Sequence, residues 1–123
     1  MKNVLAIFIL VAQIFYGATL LASSFEYIKR AAEQGEPTAQ DNLGVMYYNG
    51  QGVCQDYEKA RQWFEKAAKQ GLAAAQFNLG TMYDNGYGVQ QNLTIAKELF
   101  GKACYNGLQE GCDVYNRLNE MGY

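Results

Sequence analysis

The chain has 123 residues, with ten Lys and Arg against twelve Asp and Glu and no His, for a net charge of −2. A mildly acidic chain without a basic cluster lacks the electrostatic footprint of a nucleic-acid binder and has no strong attraction to an anionic membrane face. The lack of histidine removes the commonest general base and the commonest metal ligand, and neither a metal site nor a cofactor is expected.

Met1-Lys2-Asn3 gives a short positive start, Val4 to Ala12 is an unbroken apolar run, and "YGATLLASS" follows before Glu26. That order of n-region, h-region and small-residue c-region is that of a secretory signal over residues 1–24. Cleavage after Ser24 satisfies the small-x-small rule through Ala22 and Ser24, whereas cleavage after Ala22 leaves Ser23 or Ser24 to cap the next helix. The competing reading is an uncleaved anchor, because Val4 to Ala22 carries no charge and is just long enough to cross a bilayer. Either way residues 25–123 are expected outside the cytoplasm, periplasmic or secreted, with membrane contact only if the segment stays attached. Loss of Lys2 leaves a net charge of −3.

From Phe25 onward the chain repeats itself. Gln34-Gly35 recurs as Gln70-Gly71 and, with Asn for Gln, as Asn106-Gly107, a constant offset of 36. Between Ala31–Gln55 and Ala67–Gln91, 16 of 25 positions are identical, which chance does not produce. The units are a partial first helix at 25–35, repeats at 36–71 and 72–107, and a capping helix at 108–123.

Within each unit the apolar spacing is helical. The first LG helix starts at Pro37, a residue suited to the first helical turn. Ala60, Phe64, Ala67 and Ala68, widened by Trp63, predict an amphipathic helix over Tyr57 to Gln70, with Asp56 as N-cap and Gly71 as the C′ residue. Ala75, Leu79, Met82 and Tyr83 predict another from about Ala73 to Asp84. No stretch alternates with strand period, so the chain reads as all-α. Gly44 and Gly80 recur in mid-helix, where glycine costs about 1 kcal/mol relative to Ala. Their recurrence implies close contact with the Trp63-Phe64 helix or its counterpart. Each Gly-x-Gly, Gly50 to Gly52 and Gly86 to Gly88, follows a helix, whereas a dinucleotide fingerprint follows a strand. These glycines are read as helix caps and corners, with Val53 and Val89 folding back on the helix end.

The run "DYEKARQWFEKAAKQGLAAAQFNLGTMYDNGYGVQQN" resembles the Sel-1-like repeat, a relative of the tetratricopeptide repeat, over about Phe25 to the C-terminus. The resemblance implies a short right-handed α-solenoid of antiparallel helix pairs and, for function, a protein–protein interaction adaptor. "KACYNGLQEGCDVY" is similar to the cysteine-rich Sel-1-like proteins of the Hcp type, which implies a disulfide between Cys104 and Cys112. Ala68 and Gln76 stand where an earlier pair would be, and Cys54 is left as a free thiol. The third copy departs from the pattern, with Tyr115 and Asn116 for Leu-Gly, which suits a polar cap.

The Hcp resemblance also implies an alternative, a weak β-lactamase or a penicillin- or peptidoglycan-binding protein. The residues give it little support: Ser-x-x-Lys, Ser-Asp-Asn and Lys-Thr-Gly are absent, and Thr94-x-x-Lys97 has the spacing with the wrong hydroxyl. Glu58 and Glu65 as an acid/base pair compete with a solvated helix face, and Asn92-Leu93-Thr94 matches a glycosylation sequon that reads equally as a helix start. Comparison of the copies marks the variable side of the LG helix. Asp41, Val45 and Tyr48 become Phe77, Thr81 and Asp84, and then Asp113, Arg117 and Glu120. By resemblance to tetratricopeptide domains this side lines a concave groove for an extended peptide or partner helix, with an exposed Phe77 as anchor. Weak self-association through the first helix, exposing Tyr27 or Ile28, is a further expectation.

Overall fold

A computed structural model describes residues 2–123; Met1, in the expected n-region, lies outside the described residues, as do the side chains of Lys2, Leu21 and Ala22. The described residues form six helices and no strand: α1 (Lys2–Glu33), α2 (Pro37–Asn49), α3 (Tyr57–Lys69), α4 (Ala73–Asn85), α5 (Leu93–Tyr105) and α6 (Gln109–Glu120). Each helix packs on the next in chain order. Turns at 34–36, 70–72 and 106–108 are too short to do anything but reverse the chain, so their flanking helices run antiparallel. Longer corners at 50–56 and 86–92 join the remaining helices.

The helix of the first repeat continues without a break into the apolar N-terminal segment. Residues 2–33 form one continuous helix, because nothing between Asn3 and Glu33 stops it. Ser23, a candidate cap for the next helix, instead donates its hydroxyl back to Leu20 O at 3.0 Å, as Thr19 does to Phe15 O at 2.9 Å. The apolar side chains from Val4 to Leu20 are exposed, and α1 joins the core only from Phe25, with Ala32 buried and Ile28 and Ala31 packed against it. Ile28 is therefore not the exposed residue expected at this end, whereas Tyr27 is.

The caps follow the sequence. Asp56 accepts the Lys59 N–H at 3.0 Å, Asn92 accepts the Ile95 N–H at 3.1 Å, and Glu36 takes the same role ahead of Pro37 with Thr38 and Ala39. Gly50 and Gly86 end α2 and α4 with φ of 68° and 72°, the left-handed geometry expected of them.

The hairpins close through two contacts that recur every 36 residues. A Cβ added at Gly44 would lie 2.6 Å from the Phe64 ring, and one at Gly80 would lie 3.0 Å from the Phe100 ring. Below the turns, the buried Gln40 Nε2 donates to Ala32 O at 3.1 Å while its Oε1 accepts from Gln70 Nε2 at 2.8 Å. Gln76 repeats this with Ala68 O at 3.2 Å and Asn106 Nδ2 at 2.9 Å. In the third copy the equivalent positions are Cys104 and Cys112, joined as a disulfide with Cα atoms 4.5 Å apart. Gly111 permits this approach, since a Cβ there would stand 2.9 Å from Ala103 Cβ and Phe100 O. Cys54 is free and exposed.

Two stability measurements check this packing. Gly44→Ala should lose about 1–3 kcal/mol in urea unfolding, because overpacking exceeds the gain in helix propensity of about 1 kcal/mol. Gly80→Ala should lose less, and equal losses would contradict the difference in clearance. Removing the bridge as Cys104→Ser with Cys112→Ser should cost about 2.5 kcal/mol in the chain-entropy account. Cys104→Ala with Cys112→Gln, which installs the hydrogen-bonded pair of the preceding copy, should recover part of that loss.

Candidate functional site

Because α2 and α4 are equivalent helices in neighbouring repeats, their variable sides lie next to each other. Val45 and Tyr48 of α2 and Phe77 and Thr81 of α4 line one cleft of about 260 Å³, together with Asn49, Phe64 and Asn78. All four variable residues are half-buried. Phe77 is not the fully exposed anchor expected from the sequence, for its ring meets Phe100 at 5.2 Å and 61°. An aromatic held at its edge by another is a rigid wall rather than a mobile probe.

Asp41 was expected on the groove surface as well. It is only 9% exposed, and its Oδ1 accepts from Asn78 Nδ2 at 2.9 Å, so it links α2 to α4 instead of facing a partner. Burial pushes its carboxyl above the ordinary carboxylate range, and the hydrogen bond from Asn78 acts in the opposite sense. Asp84 is half-buried at the end of α4. Asp113, Arg117 and Glu120 are exposed on α6 and do not line this cleft.

Two residues not anticipated from the sequence border Tyr48. Tyr57 and Tyr87 stack at 5.0 Å and 9°, and their centroids lie 5.1 and 6.2 Å from that of Tyr48. Burial, with the two neighbouring phenols, raises the Tyr48 hydroxyl above its usual range. The stack requires Gly88, where a Cβ would stand 2.8 Å from the Tyr57 carbonyl. The only sequence signal was the variable residue between the corner glycines, Gln51 in one copy and Tyr87 in the next.

Of the side chains considered for catalysis, Glu58, Glu65 and Lys97 are otherwise engaged. Arg61 forms 2.6 Å ion pairs with both Glu58 and Glu65, and its hydrogen bond holds the Glu58 carboxyl below the usual range. Thr94 is exposed in the first turn of α5, and Lys97 Nζ donates to Asn119 Oδ1 at 2.8 Å and to the Tyr123 carbonyl. Among the described residues no cluster of three or more His, Cys, Asp or Glu could hold a metal ion.

The Sel1 repeat model matches residues 21–36, 37–72 and 73–108. A protective antigen of uropathogenic Escherichia coli strains displaying an SLR fold is 37% identical with a TM-score of 0.79, over 82% of this chain and 22% of that one. The chain thus spans under a quarter of that protein's length. A Sel1 repeat protein from Oxalobacter formigenes is 37% identical with a TM-score of 0.72, over 75% of this chain and 69% of that one. Cysteine-rich protein B of Helicobacter pylori is 32% identical with a TM-score of 0.70, over 73% and 68%. No curated protein matches the sequence.

Asp41 gives the site a pH signature. A carboxyl whose folded pKa is raised stabilises the fold below its unfolded pKa, and that contribution is lost as pH rises through the folded pKa. Asp41→Asn keeps an acceptor for Asn78 and removes the charge. It should flatten the fall in stability above about pH 4 and leave the protein at least as stable at pH 7. A variant less stable at pH 7 with an unchanged pH slope would contradict the burial effect.

Proposed function

The chain belongs to the Sel1 repeat family, a protein–protein interaction fold, and on that premise we propose that it is an exported adaptor holding a protein or peptide partner in the periplasm or outside the cell. The observation that carries this reading is the cleft between α2 and α4. It is built where the two copies differ, on a frame where they agree, and it joins apolar walls from Val45, Tyr48 and Phe77 to the amides of Asn49 and Asn78. Such a surface suits an extended peptide or an amphipathic helix whose aromatic or aliphatic side chain seats between the rings. Arg117 and Asp113 on α6 extend the same variable side toward the C-terminus as charged contacts.

Two features support export. The N-terminal half of α1 is apolar, exposed and close to the start of the chain, which fits a signal sequence. The Cys104–Cys112 bridge suits an oxidising compartment.

Affinity capture from an envelope fraction with the tagged full-length protein tests the adaptor reading. Phe77→Ala combined with Arg117→Glu should weaken capture of the partner about tenfold or more while the far-UV circular dichroism stays helical. Unchanged capture discards the cleft. The resemblance of the "KACYNGLQEGCDVY" run to Hcp-type proteins carries one other reading, β-lactam or peptidoglycan chemistry. A nitrocefin assay on the oxidised protein should give no turnover above the blank, and sustained turnover would favour the enzyme.

A further inference from the structure

Two of the differences between α3 and α5 shape one stretch of surface. In α3, Trp63 is half-buried against the core with Lys66 Nζ 4.1 Å from its ring centroid. Thirty-six residues later Lys102 keeps the place of Lys66, but Leu99 stands for Trp63. Ile95 likewise replaces Lys59, whose Nζ lies 5.4 Å from the ring of Tyr47, the counterpart of Tyr83. A groove of about 300 Å³ opens here, lined by Leu79, Tyr83, Ile95 and Leu99 with Lys69 and Lys102.

We propose that this groove is a second contact site, taking an aromatic side chain of a partner protein, an indole above all, where the preceding repeat seats its own Trp63. The reading rests on the adaptor function only for the source of that side chain. The groove lies on a different side of α4 from the cleft, since Leu79 and Tyr83 line one and Phe77 and Thr81 the other. An ammonium group favours the negative face of an indole, and Lys102 stands where Lys66 stands beside Trp63, although its exposed ion pair with Glu98 at 2.9 Å must be shared with or displaced by an incoming ring. The acid in the groove, Glu65, is already held by Arg61 at 2.6 Å, and Lys69 joins no ion pair among the described residues. That balance favours an aromatic flanked by acidic residues and disfavours a cationic occupant.

The test uses the full-length ¹⁵N-labelled protein in zwitterionic detergent micelles, titrated with acetyl-Glu-Trp-Glu-amide and with acetyl-Glu-Leu-Glu-amide. The tryptophan peptide should shift the amide resonances of Tyr83, Ile95, Leu99 and Lys102 saturably, and the leucine peptide should bind about fivefold or more weakly. Leu99→Trp, which fills the groove from within, should weaken the tryptophan peptide about tenfold or more. Lys102→Glu should weaken it as well, and it carries the test alone if Leu99→Trp does not fold. Phe77→Ala should leave it unchanged, which separates failure here from failure of the cleft. The proposal is overturned by an absent or unsaturable shift, an equal response to leucine, shifts centred on Val45 and Thr81, or shifts that appear with protein concentration alone and so assign the groove to a second copy.

Discussion

Once in each full repeat a phenylalanine ring lies against a glycine in the facing helix, Phe64 on Gly44 and Phe100 on Gly80. The magnitudes explain why both partners recur. A mid-helix glycine costs about 1 kcal/mol, whereas fully burying a phenylalanine contributes about 1.5–3 kcal/mol. Both rings are only 2% exposed, so the closer approach is the larger effect. The contact sets the separation within each hairpin, and with it the depth at which Leu43 and Met82 are enclosed. At the end of the stack the arrangement is reversed. Asn116 takes the glycine's place on α6, and Tyr115 of α6 lies against Gly101 of α5, where a Cβ would be 3.1 Å from its ring.

The turn end of each hairpin is held by polar contacts instead. Gln40 and Gln76 are buried, yet each has both ends of its amide engaged, so neither carries the penalty of an unpaired polar group. Their donors and acceptors come from the preceding turn and the following helix end, which ties successive repeats as well as the helices of one pair. Among the described residues no helix follows α6 to complete that network in the third copy. There the same two positions carry a covalent bridge, and Lys97 reaches Asn119 and the Tyr123 carbonyl to fasten the last turn.

The period, the helices, their caps and the bridge were legible because each has a local signature: an apolar stripe, Asp56 or Asn92 before it, a glycine after it, and Cys104 and Cys112 in a motif with a known family counterpart. The close approach at Gly44 was legible because an unfavourable residue appeared twice at one place. What the sequence hid depended on three-dimensional neighbours. Asp41 looked variable and therefore exposed, but Asn78 from the next repeat covers it. Phe77 looked like a free anchor, but Phe100 holds its edge. Tyr57 and Tyr87 belong to different repeats and meet only because the corner at 86–92 lies on the start of α3. The continuity of α1 had no such signature, since the charge and hydropathy pattern of residues 1–24 does not say where a helix begins.

A frame fixed by glycine and glutamine leaves the positions between them free to vary, and Val45, Tyr48, Phe77 and Thr81, which line the α2–α4 cleft, are such positions. The frame is therefore the premise on which the site stands. Its most direct check is the ¹H NMR spectrum of the two mid-helix glycines. Gly44 and Gly80 should each show an Hα resonance shifted well upfield by a ring current, with nuclear Overhauser contacts to Phe64 and Phe100 respectively. Glycine Hα resonances at ordinary helical positions, without contacts to those rings, would contradict the packing on which the repeat and its cleft depend.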